Sequence, residues 1–360
     1  MKKILSAVVL PLFLLLSNPL AAARIGCEDI DHLLIEAAGN GDTAAAQHML
    51  DKGANIESRD RFGETSLMVA VTKGKSDVVE LLLKRGAFVD SRDNFDSLPL
   101  IIACIRGNTD IVRLLLDNGA NFEARGYRGR TALHDAAYSK KSEVVRLLLE
   151  KGASIEAKDD YGKTALILAA SEDITYAASQ DSTDTVRLLL TKNPDIEAKD
   201  NDGETALNVA ASTNNTEVVK LLLERSANIE ASDNDGYTPL ICAATFSNTE
   251  LARMLLEKSA NIEARDKEGF TALNVATRMD NFETVRLLLT RGAKIETRTN
   301  TGYTSLIIAA EDGNTAIVNL LLENGANIEA KDNDGRTALK AAISGKRSEV
   351  VKVLLEHGAH

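Results

Sequence analysis

The chain has no tryptophan, and only three cysteines, five prolines and five histidines in 360 residues. Aromatic residues make up 4% of it, so the few that are present carry information. Cys27, Cys104 and Cys242 are too sparse for a disulfide-stapled fold. His32, His48, His134, His357 and His360 include no pair four apart on a helix beside a glutamate, the spacing of a zinc hydrolase. There is no glycine-rich phosphate loop and no nucleophile elbow. Serine and aspartate are plentiful but fall at recurring turn and cap positions. These absences lead us to expect no catalytic residue, no cofactor and no metal. Positive charge is also in deficit: the formal net charge is −11, which opposes a phosphate backbone and argues against a nucleic-acid partner. The same charge favours solubility.

Long apolar runs are absent except at the start. Lys2 and Lys3 precede an apolar stretch from Ile4 to Leu16, which Pro11 interrupts and which is too short to span a bilayer comfortably. Ala21, Ala22 and Ala23 supply a small-residue cleavage site. Residues 1–23 read as a bacterial secretory signal peptide cleaved after Ala23, with a retained anchor as the alternative. The expected location is the periplasm. Cys27 is not expected to carry a lipid, because Arg24 stands where a lipoprotein signal wants an apolar residue. No later segment reaches transmembrane length, so no membrane span is expected in the mature chain.

What fills the rest is a repeat. Gly63, Gly129, Gly162, Gly203, Gly236, Gly269, Gly302 and Gly335 recur with Asp96 at steps of 33 residues, broken by one step of 41 between Gly162 and Gly203. A fixed period of this length marks a solenoid. Residues 60–92 show the unit. Gly63 is free to take a positive φ in a turn. Thr65 then caps a short helix on which Leu67 and Ala70 share a face. Gly74 and Lys75 break the chain. A second helix from Ser76 presents Val78, Val79, Leu81, Leu82 and Leu83, and Gly86 ends it as a left-handed cap. Ala87 to Arg92 is extended.

The pattern GxTxLxxAA…VVxLLLxxGAxIEAxD resembles the ankyrin repeat. Thr131-Ala132-Leu133-His134-Asp135-Ala136-Ala137 matches that family's motif best, and Thr238-Pro239-Leu240 keeps its proline. The resemblance covers residues 31–360, after a short segment at 24–30. It comprises a partial unit at 31–59, then units beginning at Asp60, Asp93, Gly126, Asp159, Asp200, Asp233, Asp266, Thr299 and Asp332. It implies an all-α-type repeat solenoid of about ten units, each a helix-turn-helix with a projecting β-finger, and a concave groove that binds proteins. It also implies that His134 makes internal hydrogen bonds.

The groove slots implied by the resemblance hold Phe62, Phe95, Tyr127, Tyr138, Tyr161, Tyr237, Phe246, Phe270 and Tyr303. They also hold Arg61, Arg106, Arg128, Arg130 and Lys163 in the first half, and Asp202, Glu204, Asp235, Glu268, Asp312 and Asp334 in the second. The expected groove is aromatic throughout, basic at one end and acidic towards the other. Aromatics are favoured at interfaces because they bury much area with little rotamer entropy; the alternative is that they pack on neighbouring fingers.

Departures from the average unit also inform. An insertion within 171–181 carries Tyr176 as a candidate contact, and each flanking helix is expected to lengthen by roughly one turn. Asn193, Ser226 and Ser259 replace the cap glycine in three successive units, which predicts the weakest section there and a hinge. Cys104 and Cys242 fall in the same helix slot four units apart, roughly 40 Å at the usual helix spacing, and are expected to be small core residues. An acidic column from Glu57 to Glu329 runs two residues ahead of a basic one from Arg59 to Lys331, suggesting mutual neutralisation and resistance to edge pairing. The last unit ends without an extra helix, so its Val351 and Leu355 face is either solubilised by Lys346, Arg347 and Lys352 or a second contact patch.

These features predict a non-enzymatic protein–protein interaction module of the bacterial envelope, monomeric by itself, acting as inhibitor, immunity protein or stabilising scaffold. The alternatives are an exported effector that binds a protein in another cell and, more remotely, an enzyme with an unrecognised site.

Overall fold

The computed structural model describes residues 27–171 and 180–360. The signal sequence and the insertion residue Tyr176 lie outside the described residues. The described residues form two compact units, one ending at Ser154 and the other beginning at Ile155. The first contains α1 (Cys27–Asn40), α2 (Thr43–Asp51), α3 (Ser66–Thr72), α4 (Ser76–Lys84), α5 (Pro99–Arg106), α6 (Thr109–Asp117), α7 (Ala132–Tyr138) and α8 (Ser142–Glu150). The second contains α9 (Ala165–Ala170), α10 (Gln180–Leu190), α11 (Ala206–Ser212), α12 (Thr216–Glu224), α13 (Pro239–Thr245) and α14 (Thr249–Glu257). It continues with α15 (Ala272–Arg278), α16 (Phe282–Thr290), α17 (Ser305–Asp312), α18 (Thr315–Glu323), α19 (Ala338–Ser344) and α20 (Ser348–Glu356).

Odd-numbered inner helices alternate with even-numbered outer ones. The inner helices are short and buried nearly all round: Ala206, Leu207, Asn208, Val209, Ala210 and Ala211 of α11 are all buried. Small side chains let neighbours approach a helix on every side, whereas the predicted single face at Leu67 and Ala70 extends in α3 to Ser66, Met68 and Val71. The outer helices bury one stripe, such as Val218, Val219 and Leu222 of α12. Each fully buried leucine or valine contributes about 1.5–3 kcal/mol relative to exposure. The buried threonines Thr65, Thr164, Thr238 and Thr304 cap inner helices, accepting the amide of the residue three further on at 3.4 Å.

The fingers contain no strand among the described residues, only an isolated bridge between Arg59 and Thr65. Side chains satisfy the finger backbone instead, and this corrects the expected role of the charge columns. Glu57 accepts the Phe88 amide at 2.7 Å, Glu230 that of Asn261 at 2.7 Å and Glu296 that of Asn327 at 2.7 Å. Arg92 donates to the Arg125 carbonyl at 2.8 Å, Lys199 to that of Ser232 at 2.7 Å and Arg298 to that of Lys331 at 2.7 Å. Each column therefore bonds one repeat to the backbone of the next. Charged partners strengthen such hydrogen bonds and leave few orphaned backbone groups.

The insertion also departs from expectation. α9 stops at Ala170, where Ser171 is extended (φ −71, ψ 138), and has six residues against seven or eight in the other inner helices of its unit. α10 has eleven residues against nine in the following outer helix. The inner helix is not lengthened; the outer one is.

Candidate functional site

The fingertips are built to display one residue outward. In the first complete unit the Asp60 carboxylate accepts the amides of Phe62 at 2.8 Å and Glu64 at 3.0 Å, closing the turn. The next finger locks onto it: the Asn94 amide donates to the Phe62 carbonyl at 3.0 Å and its side chain to that of Arg61 at 3.3 Å. Gly63 lies at φ +79, and a Cβ there would come within 2.4 Å of Asn94 Oδ1. Only glycine fits both constraints. The backbone is thus fixed from two sides while the aromatic before the glycine projects into solvent.

Four exposed aromatics lie at finger turns: Phe62 and Tyr161 precede a glycine, Phe95 precedes Asp96 at φ 64, and Tyr127 precedes Arg128 at φ 61. Phe62 is 43% exposed, Phe95 64%, Tyr127 63% and Tyr161 49%. The Arg61 guanidinium lies 4.6 Å over the Phe62 ring and that of Arg128 5.0 Å over Tyr127. Both arginines are exposed. A guanidinium held on a ring face is ordered before any partner arrives.

A second set behaves differently. In four repeats the residue after the turn glycine touches the residue eight further on, at the end of the same repeat's inner helix. Thr72 donates to Glu64 at 3.3 Å, Arg130 stacks 4.7 Å over Tyr138, Arg278 stacks 4.4 Å over Phe270, and the Tyr303 hydroxyl donates to Glu311 at 3.4 Å. Finger and inner-helix end therefore share one face in these four repeats. The pairing corrects the expectation for Phe270, which is buried under Arg278 and is not available to a partner. Tyr138, Tyr237 and Tyr303 are half-buried, and Arg336 reaches across to both Tyr303 and Asp332. Arg130 is mostly covered and pairs with Asp135 at 3.3 Å. Arg106 and Phe246, at inner-helix ends, are exposed.

Carboxylates crowd in both units; in the first, burial and the nearby Asp60 raise Glu64. In the second, Asp200, Asp202 and Glu204 converge closely enough to hold a metal ion. The position is already served by a cation: Lys163 Nζ is 3.1 Å from Asp200 Oδ2 and 3.7 Å from Glu204 Oε2. Burial raises the Glu204 carboxyl above the ordinary range against the pull of Lys163, with Asp200, Asp233 and Asp202 adding to it. Burial also raises Asp266 and Asp312. Loss of hydration opposes ionisation of each of these carboxyls.

Exposed apolar residues that slot reading missed are Phe88, Ile105 and Met279. Phe88 had a readable signal, since polar residues such as Asn55, Asn121 and Asn228 hold its slot elsewhere. His134 is buried, its Nδ1 accepting the Thr131 amide at 3.1 Å, a helix cap rather than a proton-transfer group. Cys104 and Cys242 are free and buried, and burial pushes the Cys242 thiol up to about 12. At the last unit Val350, Val353 and Leu354 are buried while Ile343 and Leu355 are exposed. No helix among the described residues is long and apolar enough to cross a membrane.

A family model described as ankyrin repeats (3 copies) matches residues 12–93, 33–126, 89–159, 123–175, 157–233, 174–266, 227–299 and 292–360. No curated protein matches the chain.

Proposed function

The chain belongs to the ankyrin repeat family, a fold of protein–protein interaction rather than of enzymatic chemistry, and from that premise we propose that it binds a partner protein through its fingertips and inner-helix ends. The exposed tip aromatics carry this reading. Phe62, Phe95, Tyr127 and Tyr161 stand out from a backbone pinned by hydrogen bonds or a tight turn, in a chain with few aromatics elsewhere. Rigid aromatic groups of this kind supply most of the energy at protein interfaces. The basic start, apolar run and alanine cleavage site of residues 1–23 support action in the periplasm as an inhibitor, immunity protein or stabilising scaffold for one partner.

The test is affinity capture from periplasmic extract, followed by calorimetry with the captured protein. Replacing Phe95 and Tyr127 together, or Tyr161 and Phe246 together, by alanine should weaken binding at least about tenfold, the equivalent of ~1.4 kcal/mol. Unchanged affinity in both double variants, with native circular dichroism, rejects the proposal.

A further inference from the structure

The charge on the first unit's surface says what kind of partner segment it takes. Phe62 and Phe95 are neighbours, since the Asn94 amide and side chain bond the Phe62 finger. Arg61 covers Phe62 and Arg128 covers Tyr127, so cationic groups sit directly on two of the three anchors. At the inner-helix ends Ile105 and Arg106 of α5 are exposed together, and Lys73 is exposed just after α3.

Three acids near this face have partners within the fold, although Asp96 remains exposed. Asp96 pairs with Arg92 at 2.7 Å and Asp135 with Arg130 at 3.3 Å. Glu64 accepts from Thr72 at 3.3 Å, and its carboxyl is raised chiefly by burial. Arg61, Lys73 and Arg106 enter no ion pair among the described residues. The face thus presents Arg61 and Arg106, outside any ion pair among the described residues, beside apolar anchors, on a chain whose formal charge is −11.

We propose that the first unit's face binds an acidic polypeptide segment bearing aromatic or aliphatic anchor side chains, a specificity that rests on the docking reading above. The partner's anchors lie against Phe62, Phe95 and Tyr127, and its carboxylates face Arg61 and Arg106. Charges bordering an apolar contact set register and exclude partners of the wrong sign. Arginine beside aromatics also suits stacked bases of single-stranded nucleic acid, but the chain's overall negative charge opposes a phosphate backbone.

The experiment measures binding of the full chain to three labelled probes. One is a short synthetic peptide alternating glutamate with phenylalanine and leucine, the second has lysine for every glutamate, and the third is oligo-thymidine. The acidic peptide should bind, weaken about tenfold between about 50 and about 300 mM salt, and exceed the other two probes at least tenfold. Arg61→Glu with Arg106→Glu should weaken it at least tenfold, and the milder Arg→Gln pair less. Arg113→Glu, the same charge change on the outer helix α6, should leave it unchanged. The proposal is overturned if the lysine peptide or the oligonucleotide binds as well, if no probe binds, or if the folded arginine variants keep full affinity. If those variants keep full affinity while Phe95→Ala with Tyr127→Ala abolishes capture of the natural partner, the docking reading survives and only the acidic specificity is lost.

Discussion

Single residues set where this repeat array is strained. Asn193, Ser226 and Ser259 take φ values of 51, 64 and 67 in the slot where Gly86, Gly119, Gly152, Gly292 and Gly325 sit elsewhere. A Cβ added at those five glycines meets nothing within 4 Å, so the slot is open and the cost of a side chain there is backbone strain. A left-handed residue other than glycine costs about 1 kcal/mol, offset in part by the entropy glycine loses on folding. Ser226→Gly and Ser259→Gly should therefore each stabilise the protein by about 0.5–1 kcal/mol and add together, being one repeat apart. Chemical denaturation of the single and double variants checks this; no gain in either would mean that serine is unstrained at these caps.

The finger is the element that couples stacking to display. Its turn is closed by Asp60 and its equivalents, and its position after the glycine packs on its own inner-helix end. After Gly203 that position is Glu204, whose folded-state carboxyl is raised above its ordinary value of 4.5 chiefly by burial. The folded chain then binds this proton more tightly than the unfolded chain. Stability contributed by the protonated carboxyl is present at the acid side and falls as pH rises from 4.5 through the raised folded value. Glu204→Gln should flatten that part of the stability–pH curve and leave the protein at least as stable at neutral pH, with Lys163 still held by Asp200. Urea denaturation across the acidic range measures it, and a slope identical to the parent's would rule the carboxyl out.

Across the whole molecule, left-handed residues other than glycine crowd one stretch: Asn193, Asn214, Ser226, Ser247, Ser259 and Asp280, against Asp96, Arg128 and Lys140 before residue 155. Repeat arrays open locally where the units are weakest. Backbone amides of α12 and α14 should therefore exchange with solvent faster than those of α4 and α6, by native-state hydrogen exchange. Equal protection in the four helices would remove the case for a weak middle section.

The period of 33, the cap glycines and threonines, and the Val-Val and Leu-Leu stripes determined the fold from sequence alone, because each repeat must bury the same faces and turn at the same φ. The aromatic slots were legible in the same way, since a residue beside a turn glycine falls on a finger. Which aromatics remain exposed was not. Phe95 and Phe270 both flank a finger turn, one just before its tip residue and the other just after. The first points to solvent, whereas the second is covered by an arginine eight residues away. Likewise the charge columns read as neighbours along one finger, but their partners lie 31 and 33 residues on, in the backbone of the next repeat. Contacts that close between repeats depend on the stacking distance, and only the tertiary structure fixes that.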